Sequence, residues 1–258
     1  MTVDVNVSLS RWPLRRLPCD ETPRLVERLR RHGVTQAWAG SLDGLFHRDI
    51  GGVNARLADE CRRHGEGRLL PFGSVNPMLP DWTEDLRRCH EDHCMPGIRL
   101  HPNYHGYPLT DPAFSELLAG AEKRGLVVEL VVRMDDVRVQ HPLIRVADVD
   151  TKPLPELLAR RPNLRLVLLN GLATIRGAEL KRIAAAGRVY FDISMQEGTA
   201  GVSELLHHVP AERILFGSHL PLFDLEAAAL KMRESELTAA ETEAIGHASA
   251  ERLLAGRA

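Results

Sequence analysis

The chain has 258 residues, of which 44% are hydrophobic and 26% are charged, and its formal net charge is -2. This balance predicts a single domain over residues 1–258, without the basic excess that nucleic-acid binding requires. No apolar run approaches the roughly 20 residues that span a bilayer, and Asp4 and Asn6 interrupt any signal-peptide pattern at the N-terminus. We therefore expect a cytoplasmic protein with neither a membrane nor a nucleic-acid partner.

Short apolar segments alternate with amphipathic ones along the whole chain. Most of the short segments are almost continuously hydrophobic, which is typical of parallel strands buried on both faces. The predicted strands are Val3–Val7, Gln36–Ala39, Leu69–Gly73, Gly97–Leu100, Val127–Val132, Leu164–Leu169, Val189–Ile193 and Ile214–Gly217. The predicted helices between them are Pro23–His32, Asn54–Arg63, Trp82–His90, Pro112–Arg124, Leu154–Arg160, Ala178–Ala186 and Val202–His208. Leu225–Leu254 predicts two further helices, the second with Thr238 and Glu241 as a capping box.

This alternation predicts an α/β fold, a (β/α)8 TIM barrel closed by eight parallel strands. Active sites in such barrels lie at the C-terminal ends of the strands. The polar residues at or just beyond those ends are Asn6, Ser8, Ser74, Asn76, Arg99, His101, Arg133, Asp135, Asp136, Asn170, Asp192, Ser194, Ser218 and His219.

Two segments at opposite ends of the chain, Asp4–Leu9 and Ile214–Pro221, resemble the first and last barrel strands of the amidohydrolase superfamily. The similarity is to its amidohydrolase-2 branch, which contains decarboxylase-like and lactonase-like proteins. In that family the first strand ends in His-x-His and the last carries Gly-Ser-Asp-x-Pro. Here Asn6 and Ser8 stand at the two histidine positions, and His219 stands at the aspartate position. The resemblance implies a metallo-dependent-hydrolase-like barrel whose usual metal ligands are substituted.

The resemblance also implies how a metal would be held. In the family, the first-strand histidines, a fifth-strand histidine and the eighth-strand aspartate bind a divalent ion that activates water, and a sixth-strand histidine assists. The fifth and sixth positions here are Val131 (or Val132) and Asn170. Amide and hydroxyl oxygens are weak ligands for Zn²⁺, so we expect no metal ligand and no cofactor. The alternative is a zinc site rebuilt from His219, His101 and a nearby carboxylate.

Five residues are the candidate catalytic groups. His219 is the predicted general acid or base, because imidazole titrates near neutral pH, and otherwise it is a loop histidine at the barrel mouth. His101 is either a second acid or base or a histidine bonded to a loop carbonyl. Asn6, Ser8 and Asn170 are expected to orient a carbonyl or stabilise an oxyanion. Their alternative role is to satisfy one another's hydrogen bonds inside the barrel.

Candidate substrate-binding residues surround this set. Arg99 lies in Gly97–Pro102, another segment similar to the family, and its planar guanidinium suits a substrate carboxylate. Its alternative is an internal ion pair with Glu129 or Asp192. Arg133 is a similar candidate, with Asp135 and Asp136 as ready local partners. The loop side chains expected to cover a small ligand are Tyr104, His105 and Trp12.

Two functions are compatible with these residues. The first is an enzyme that acts on a small, carboxylate-bearing organic substrate by hydrolysis, non-oxidative C–C cleavage or proton transfer, without the usual metal. The second is a non-catalytic descendant that binds a small molecule or joins an assembly, because a fold alone does not define a function. A homo-oligomer is compatible with either.

Overall fold

A computed structural model describes residues 1–136 and 138–256 of the chain. Its eight strands are β1 (Thr2–Leu9), β2 (Val34–Ser41), β3 (Leu69–Ser74), β4 (Gly97–Leu100), β5 (Val127–Val131), β6 (Arg165–Leu169), β7 (Arg188–Asp192) and β8 (Ile214–Leu215). Neighbouring strands pair in parallel in the order β1 to β8. The ring closes where Val5 N–H donates to Phe216 O at 3.0 Å and Ser8 N–H donates to Leu220 O at 2.8 Å. The predicted (β/α)8 TIM barrel is confirmed.

Helices follow the strands in the order the sequence predicts. They are α1 (Thr22–Arg31), α2 (Ile50–His64), α3 (Trp82–Glu91), α4 (Pro102–His105), α5 (Pro112–Lys123), α6 (Leu154–Ala159), α7 (Gly177–Ala185), α8 (Gly201–Leu206), α9 (Leu225–Glu234), α10 (Ala239–Glu243) and α11 (Ser249–Ala255). A π-helical turn over Ala244–Ala248 joins α10 to α11. The predicted capping box is present, with Thr238 Oγ1 accepting from Glu241 N–H and Glu241 accepting from Thr238 N–H.

Alternation along each strand divides the core into an inside and an outside. Val127 and Val131 belong to an apolar cluster inside the barrel, together with Trp38, whose ring stacks on Phe72 at 4.8 Å. Val128 and Leu130, Ile98 and Leu100, and Leu166 and Leu168 belong to the cluster that packs against the helices. Because strand residues alternate in direction, the polar residues between the inner apolar ones also point into the barrel.

No helix in the described part of the chain combines the length and the apolar character needed to cross a bilayer.

Candidate active site

Five buried polar side chains hydrogen-bond to one another where four strands end. We call them the mouth network: Asn6, Asn170, Asp192, Ser194 and His219. Asn6 Nδ2 donates to Asn170 Oδ1 at 2.7 Å and to Asp192 Oδ2 at 2.9 Å. The backbone N–H of Asn170 donates to Asp192 Oδ1 at 2.6 Å, and Ser194 Oγ donates to Asn170 Oδ1 at 2.7 Å. Asp192 therefore ties the ends of β1, β6 and β7 together.

His219 follows β8 and completes the mouth network from the last strand. Its Nε2 lies 2.7 Å from the carbonyl oxygen of Met134. A carbonyl only accepts, so Nε2 carries the proton and Nδ1 of the neutral ring has the free lone pair. That Nδ1 lies 3.4 Å from Asn170 Nδ2 and 3.4 Å from Asn6 Oδ1, which are the two longest contacts of the ring.

These two long contacts suit both charge states of His219. When the ring is neutral, Nδ1 can accept from Asn170 Nδ2, and when it is protonated, Nδ1–H can donate to Asn6 Oδ1. Burial lowers the pKa of His219 below its usual 6.5, while the hydrogen bond to Met134 O and the charge of Asp192 oppose that shift. The ring is therefore neutral near pH 7. It can also be protonated at Nδ1 without rearrangement of the chain.

Two residues of the mouth network have a left-handed backbone. Asn170 has φ 58° and His219 has φ 60°. For residues other than glycine this conformation costs on the order of 1–3 kcal/mol, and such positions concentrate at functional sites. The Asp4 carboxylate helps to hold the segment before His219, because it accepts from Ser218 N–H at 3.0 Å and from Ser218 Oγ at 2.5 Å. Burial raises the pKa of Asp4 to about 6.

Arg99 lies deeper in the barrel and has a different role from the one first expected. Its Nε donates to Glu129 Oε2 at 2.6 Å, and both side chains are buried. The other four N–H groups also have acceptors: Nη1 donates to Val7 O and Ser8 Oγ, and Nη2 donates to Val5 O and Trp38 O. All five donors of the guanidinium are thus used within the protein. The assignment of Arg99 to a substrate carboxylate is corrected to the alternative, an internal ion pair with Glu129.

Ser8 belongs to this deeper pair and not to the mouth network. Its Oγ accepts from Arg99 Nη1 at 3.3 Å. The register of β1 against β2 shifts between Asp4 and Val7. Burial raises the pKa of Glu129 to about 7, although the Arg99 charge acts in the opposite direction.

Polar atoms without a protein partner gather at the ends of β3 and β4. The buried atoms concerned are Ser74 Oγ, His101 Nδ1 and His105 Nδ1, none of which has a hydrogen-bond partner among the described residues. The two imidazole rings are 6.1 Å apart, and His105 Nε2 donates to Gly44 O at 2.8 Å. Burial lowers the pKa of His101 well below 6.5, so it is neutral. We call Ser74, His101 and His105 the histidine corner.

The histidine corner depends on a close approach that only glycine allows. A Cβ on Gly44 would lie 2.1 Å from Ser74 Oγ, which is far inside van der Waals contact. Because Gly44 lacks a side chain, its carbonyl can reach His105 while its Cα lies against Ser74. This packing fixes the loop after β2 over the ends of β3 and β4.

Aromatic residues cover this side of the mouth. Trp12 is buried, and its ring centroid lies 5.8 Å from that of Phe46 and 6.4 Å from that of Tyr104. Phe46, by contrast, is 42% exposed. The predicted covering positions of Trp12 and Tyr104 are therefore observed, while a role for them in binding stays a prediction.

A cavity of about 400 Å³ opens on the other side of the mouth, between β7 and α9. Ser194 of the mouth network and Phe223 line it, and the Phe223 ring lies 5.3 Å from the His219 ring. Arg133 also lines it and pairs with Asp148, with Nε donating to Oδ1 at 2.8 Å and Nη2 to Oδ2 at 2.5 Å. The local partners expected for Arg133 are corrected: Asp135 pairs with Arg15, and Asp136 with Arg138.

Of the predicted catalytic residues, the structure joins Asn6, Asn170 and His219 by hydrogen bonds, whereas Ser8 bonds to Arg99 and His101 lies near enough for the charge of His219 to act on it. Asp192 was placed at a strand end by the sequence but was not chosen as a site residue. The signal for it was an acid that ends an otherwise apolar strand, at a position that points into the barrel. The backbone carbonyl of Met134, which sets the tautomer of His219, has no sequence signal.

The side-chain atoms at the barrel mouth are not suited to ligate the divalent ion that the resemblance implies. His219 uses Nε2–H on a carbonyl, the amide oxygen of Asn170 already accepts from Asn6 and Ser194, and the amide oxygen of Asn6 is a weak neutral ligand that faces His219 Nδ1 at 3.4 Å. Val131 offers no ligand atom at the fifth-strand position. Within residues 1–136 and 138–256, no three or more His, Cys, Asp and Glu side chains are placed to hold a metal ion.

The fold and the position of these residues define a TIM-barrel protein with a polar site at the C-terminal ends of its strands. The amidohydrolase family model Amidohydro_2 matches residues 13–255. The chain therefore belongs to the amidohydrolase family, which confirms the resemblance. No curated protein sequence matches it significantly.

Several solved structures share this fold at low sequence identity. The 2,6-dihydroxybenzoate decarboxylase from Rhizobium has a TM-score of 0.73 at 16% identity, over 98% of this chain and 99% of that one. The 5-carboxyvanillate decarboxylase from Sphingomonas paucimobilis has a TM-score of 0.75 at 13% identity, over 98% of each chain. A dihydroxybenzoic acid decarboxylase from Polaromonas, solved with manganese and 2-nitroresorcinol, has a TM-score of 0.74 at 14% identity, over 98% and 96%.

Proposed function

We propose that this protein is an enzyme that cleaves a C–C bond in a small, carboxylate-bearing organic molecule by non-oxidative decarboxylation, with His219 as the proton-transfer group. The observation that carries the proposal is His219 itself. Its ring is held by one strong hydrogen bond through Nε2, while Nδ1 has only two contacts of 3.4 Å. A group of this kind can exchange a proton at Nδ1 and keep its orientation.

The chemistry follows from the two states of the ring. Decarboxylation breaks the bond between a carbon and its carboxylate, releases CO2 and places a proton on that carbon. His219 Nδ1 accepts a proton from a substrate hydroxyl or from water and returns it to the carbon. Asp192 lies within the same network and stabilises the imidazolium that forms in between.

Unpartnered polar atoms support a ligand at this mouth. A buried polar atom without a partner costs about 1–3 kcal/mol, so natural proteins keep few of them. The histidine corner holds three, and they face the same barrel mouth as His219. We expect a substrate oxygen to satisfy His101 there. The similar decarboxylase structures support a carboxylate-bearing, hydroxylated aromatic molecule as the first substrate class to test.

A panel of hydroxybenzoates that includes 2,6-dihydroxybenzoate and 5-carboxyvanillate tests the proposal by CO2 release. His219→Asn should lower kcat by about 100-fold or more, the usual contribution of a general acid or base, and leave substrate affinity within about tenfold. His64→Asn is the matched control, because His64 lies exposed on α2. Unchanged turnover in His219→Asn, for any substrate the protein accepts, would refute the role of His219.

We further infer that this chemistry proceeds without a metal at the mouth network, because the amides there are bonded to one another. Plasma mass spectrometry of the purified protein, before and after chelation, measures this directly. A stoichiometric metal that returns on reconstitution and restores turnover would contradict the inference. It would point to the alternative site rebuilt around His219 and His101.

The second candidate function is ligand binding without turnover. The aromatic cover favours it, because Trp12 is buried against Phe46 and Tyr104 over one side of the mouth. Saturable binding of a panel compound without CO2 release or any other change in it would establish this candidate in place of the first.

A further inference from the structure

A lysine ammonium lies at the end of β7, next to the mouth network. Lys231 of α9 donates through Nζ to Ile193 O at 3.1 Å and also to Ser194 O. The side chain is half-buried, and this desolvation lowers the pKa of its amine. Two of the three N–H donors of Lys231 are therefore directed at backbone carbonyls at the C-terminal end of the strand.

Lys231 has no ion-pair partner in the described part of the chain. Asp192, Glu197 and Glu234 are near enough to favour its charge but do not contact it. A partly desolvated cation with only carbonyl acceptors is less stabilised than one with a carboxylate. Its third N–H donor is free to bind an additional group.

The cavity of about 400 Å³ described above has Lys231 on its wall. The two arginines that also line it are already neutralised, Arg133 by Asp148 and Arg138 by Asp136. Glu197 pairs with Arg176, and Glu234 lies exposed at the end of α9. Among the described residues that line the cavity, Lys231 is thus the cationic side chain that lacks an ion-pair partner.

The rest of the cavity wall is suited to an apolar body. The apolar side chains on this wall are those of Phe223, Met195 and Leu230, and Leu230 is 52% exposed. Small-molecule sites are concave, with volumes of about 300–1,000 Å³ and few polar groups, and this cavity falls within that range. Gln196 adds one neutral side chain.

We propose that this cavity binds a small organic carboxylate, with the anion on Lys231 Nζ and the apolar part against Phe223 and Met195. Phe223, which lines the cavity, also contacts the His219 ring, with the two centroids 5.3 Å apart. The proposal concerns binding alone, so it holds whether or not His219 transfers a proton. In an active enzyme this cavity would hold the substrate before it reaches the mouth network.

Titration with benzoate, followed by calorimetry and by the methyl signal of Met195 in NMR spectra, tests the proposal. Benzoate should bind and shift that signal, and benzyl alcohol, which has the same ring without the charge, should bind at least about tenfold more weakly. Lys231→Met should weaken benzoate by about tenfold or more. Lys181→Met is the matched control, because Lys181 lies exposed on α7, and it should bind as the wild type does.

A second variant keeps the test decisive if Lys231→Met unfolds. Ala227 lines the cavity from α9, and Ala227→Leu fills part of it while the ammonium stays in place. We expect a weakened benzoate interaction with an unchanged Tm. Equal affinity for benzoate and benzyl alcohol, full affinity in either cavity variant, or no binding at millimolar benzoate would each overturn the proposal.

Discussion

Two polar clusters lie inside the same barrel, and they differ in how completely their atoms are paired. In the deeper one, all five N–H donors of Arg99 have acceptors, with Glu129 as the counter-ion, and Glu129 Oε1 is left without a partner among the described residues. At the mouth, His219 Nδ1 has only two contacts of 3.4 Å, and His101 Nδ1 has no partner. The deeper cluster, in which all five donors of the charged guanidinium are used, holds the barrel together, whereas the imidazole nitrogens at the mouth are able to exchange partners.

This difference separates two residue types that the sequence placed in one candidate site. Arg99 lies on β4, His101 is the first residue after it, and both were expected to contact substrate. The arginine is directed into the barrel and is enclosed by the carbonyls of β1 and β2, while the histidine stands at the mouth, where strand pairing has ended. A side chain at the mouth can lack a hydrogen-bond partner at a lower cost in stability, because the pairing of the strands does not depend on it.

Breaking the deeper pair should produce the largest effect. Arg99→Met leaves Glu129 buried without a counter-ion and should lower the free energy of unfolding by about 3–5 kcal/mol, measured by urea denaturation. The double variant Arg99→Met, Glu129→Leu removes both charges and should recover most of that loss. If Arg99→Met instead keeps its stability and only weakens carboxylate substrates relative to neutral analogues, Arg99 is a substrate ligand after all.

The pH dependence of stability distinguishes His219 from the buried carboxyl groups of Glu129 and Asp4 by sign. The pKa of His219 in the folded state lies below its usual 6.5, so protonation favours the unfolded chain. Its contribution is present above about pH 6.5 and is lost as the pH falls, by at most about 1.4 kcal/mol per pH unit for one proton. The raised pKa values of Glu129, about 7, and Asp4, about 6, act oppositely: their contribution is lost as the pH rises through those values.

The difference between wild type and His219→Asn isolates the histidine, because Glu129 and Asp4 are common to both. We expect the wild type to lose free energy of unfolding relative to the variant between about pH 7 and about pH 5. Urea denaturation at three pH values measures it. A difference that does not change with pH would mean that the pKa of His219 is the same in the folded and unfolded chains.

The smallest effect is expected at the histidine corner. His101→Phe removes a buried nitrogen without a partner and keeps an aromatic ring, so stability should stay within about 1 kcal/mol of wild type or rise. His105→Phe is the matched control, since it also loses the hydrogen bond to Gly44 O and should cost about 0.5–1.5 kcal/mol. A large loss of Tm in His101→Phe would show that His101 is structural.

Much of the fold could be predicted, because apolar strands are short, continuous and separated by amphipathic segments. The limits predicted for β4 agree with the structure, and those of β5 and β6 differ by one residue. The last strand is shorter than predicted and ends at Leu215, yet Phe216 O still bonds to Val5 N–H. α4 was not predicted, because a single turn of four residues has too few positions to show a helical period.

The site was less predictable, since strand ends indicate proximity but not pairing. Asn6, Asn170 and His219 meet as three strand ends of one barrel should. The partner of Arg133 could not be found from neighbours in sequence, because the loop after β5 folds back and brings Asp148 to it from 15 positions away. Ser8 was misplaced for a similar reason, since its contact is with Arg99, a residue 91 positions away in the chain.

The closure of the barrel between β1 and β8 also determines when folding can finish during synthesis of the chain. Asn6 and His219 are 213 positions apart in the chain, so a ribosome needs on the order of 10 to 40 s to add the second after the first. Throughout that interval the β1 edge, with Val5 and Ser8 among its donors, lacks the segment that caps it. A nascent chain of this protein therefore presents an unpaired strand edge, a site at which other chains can pair, until its last strand is made.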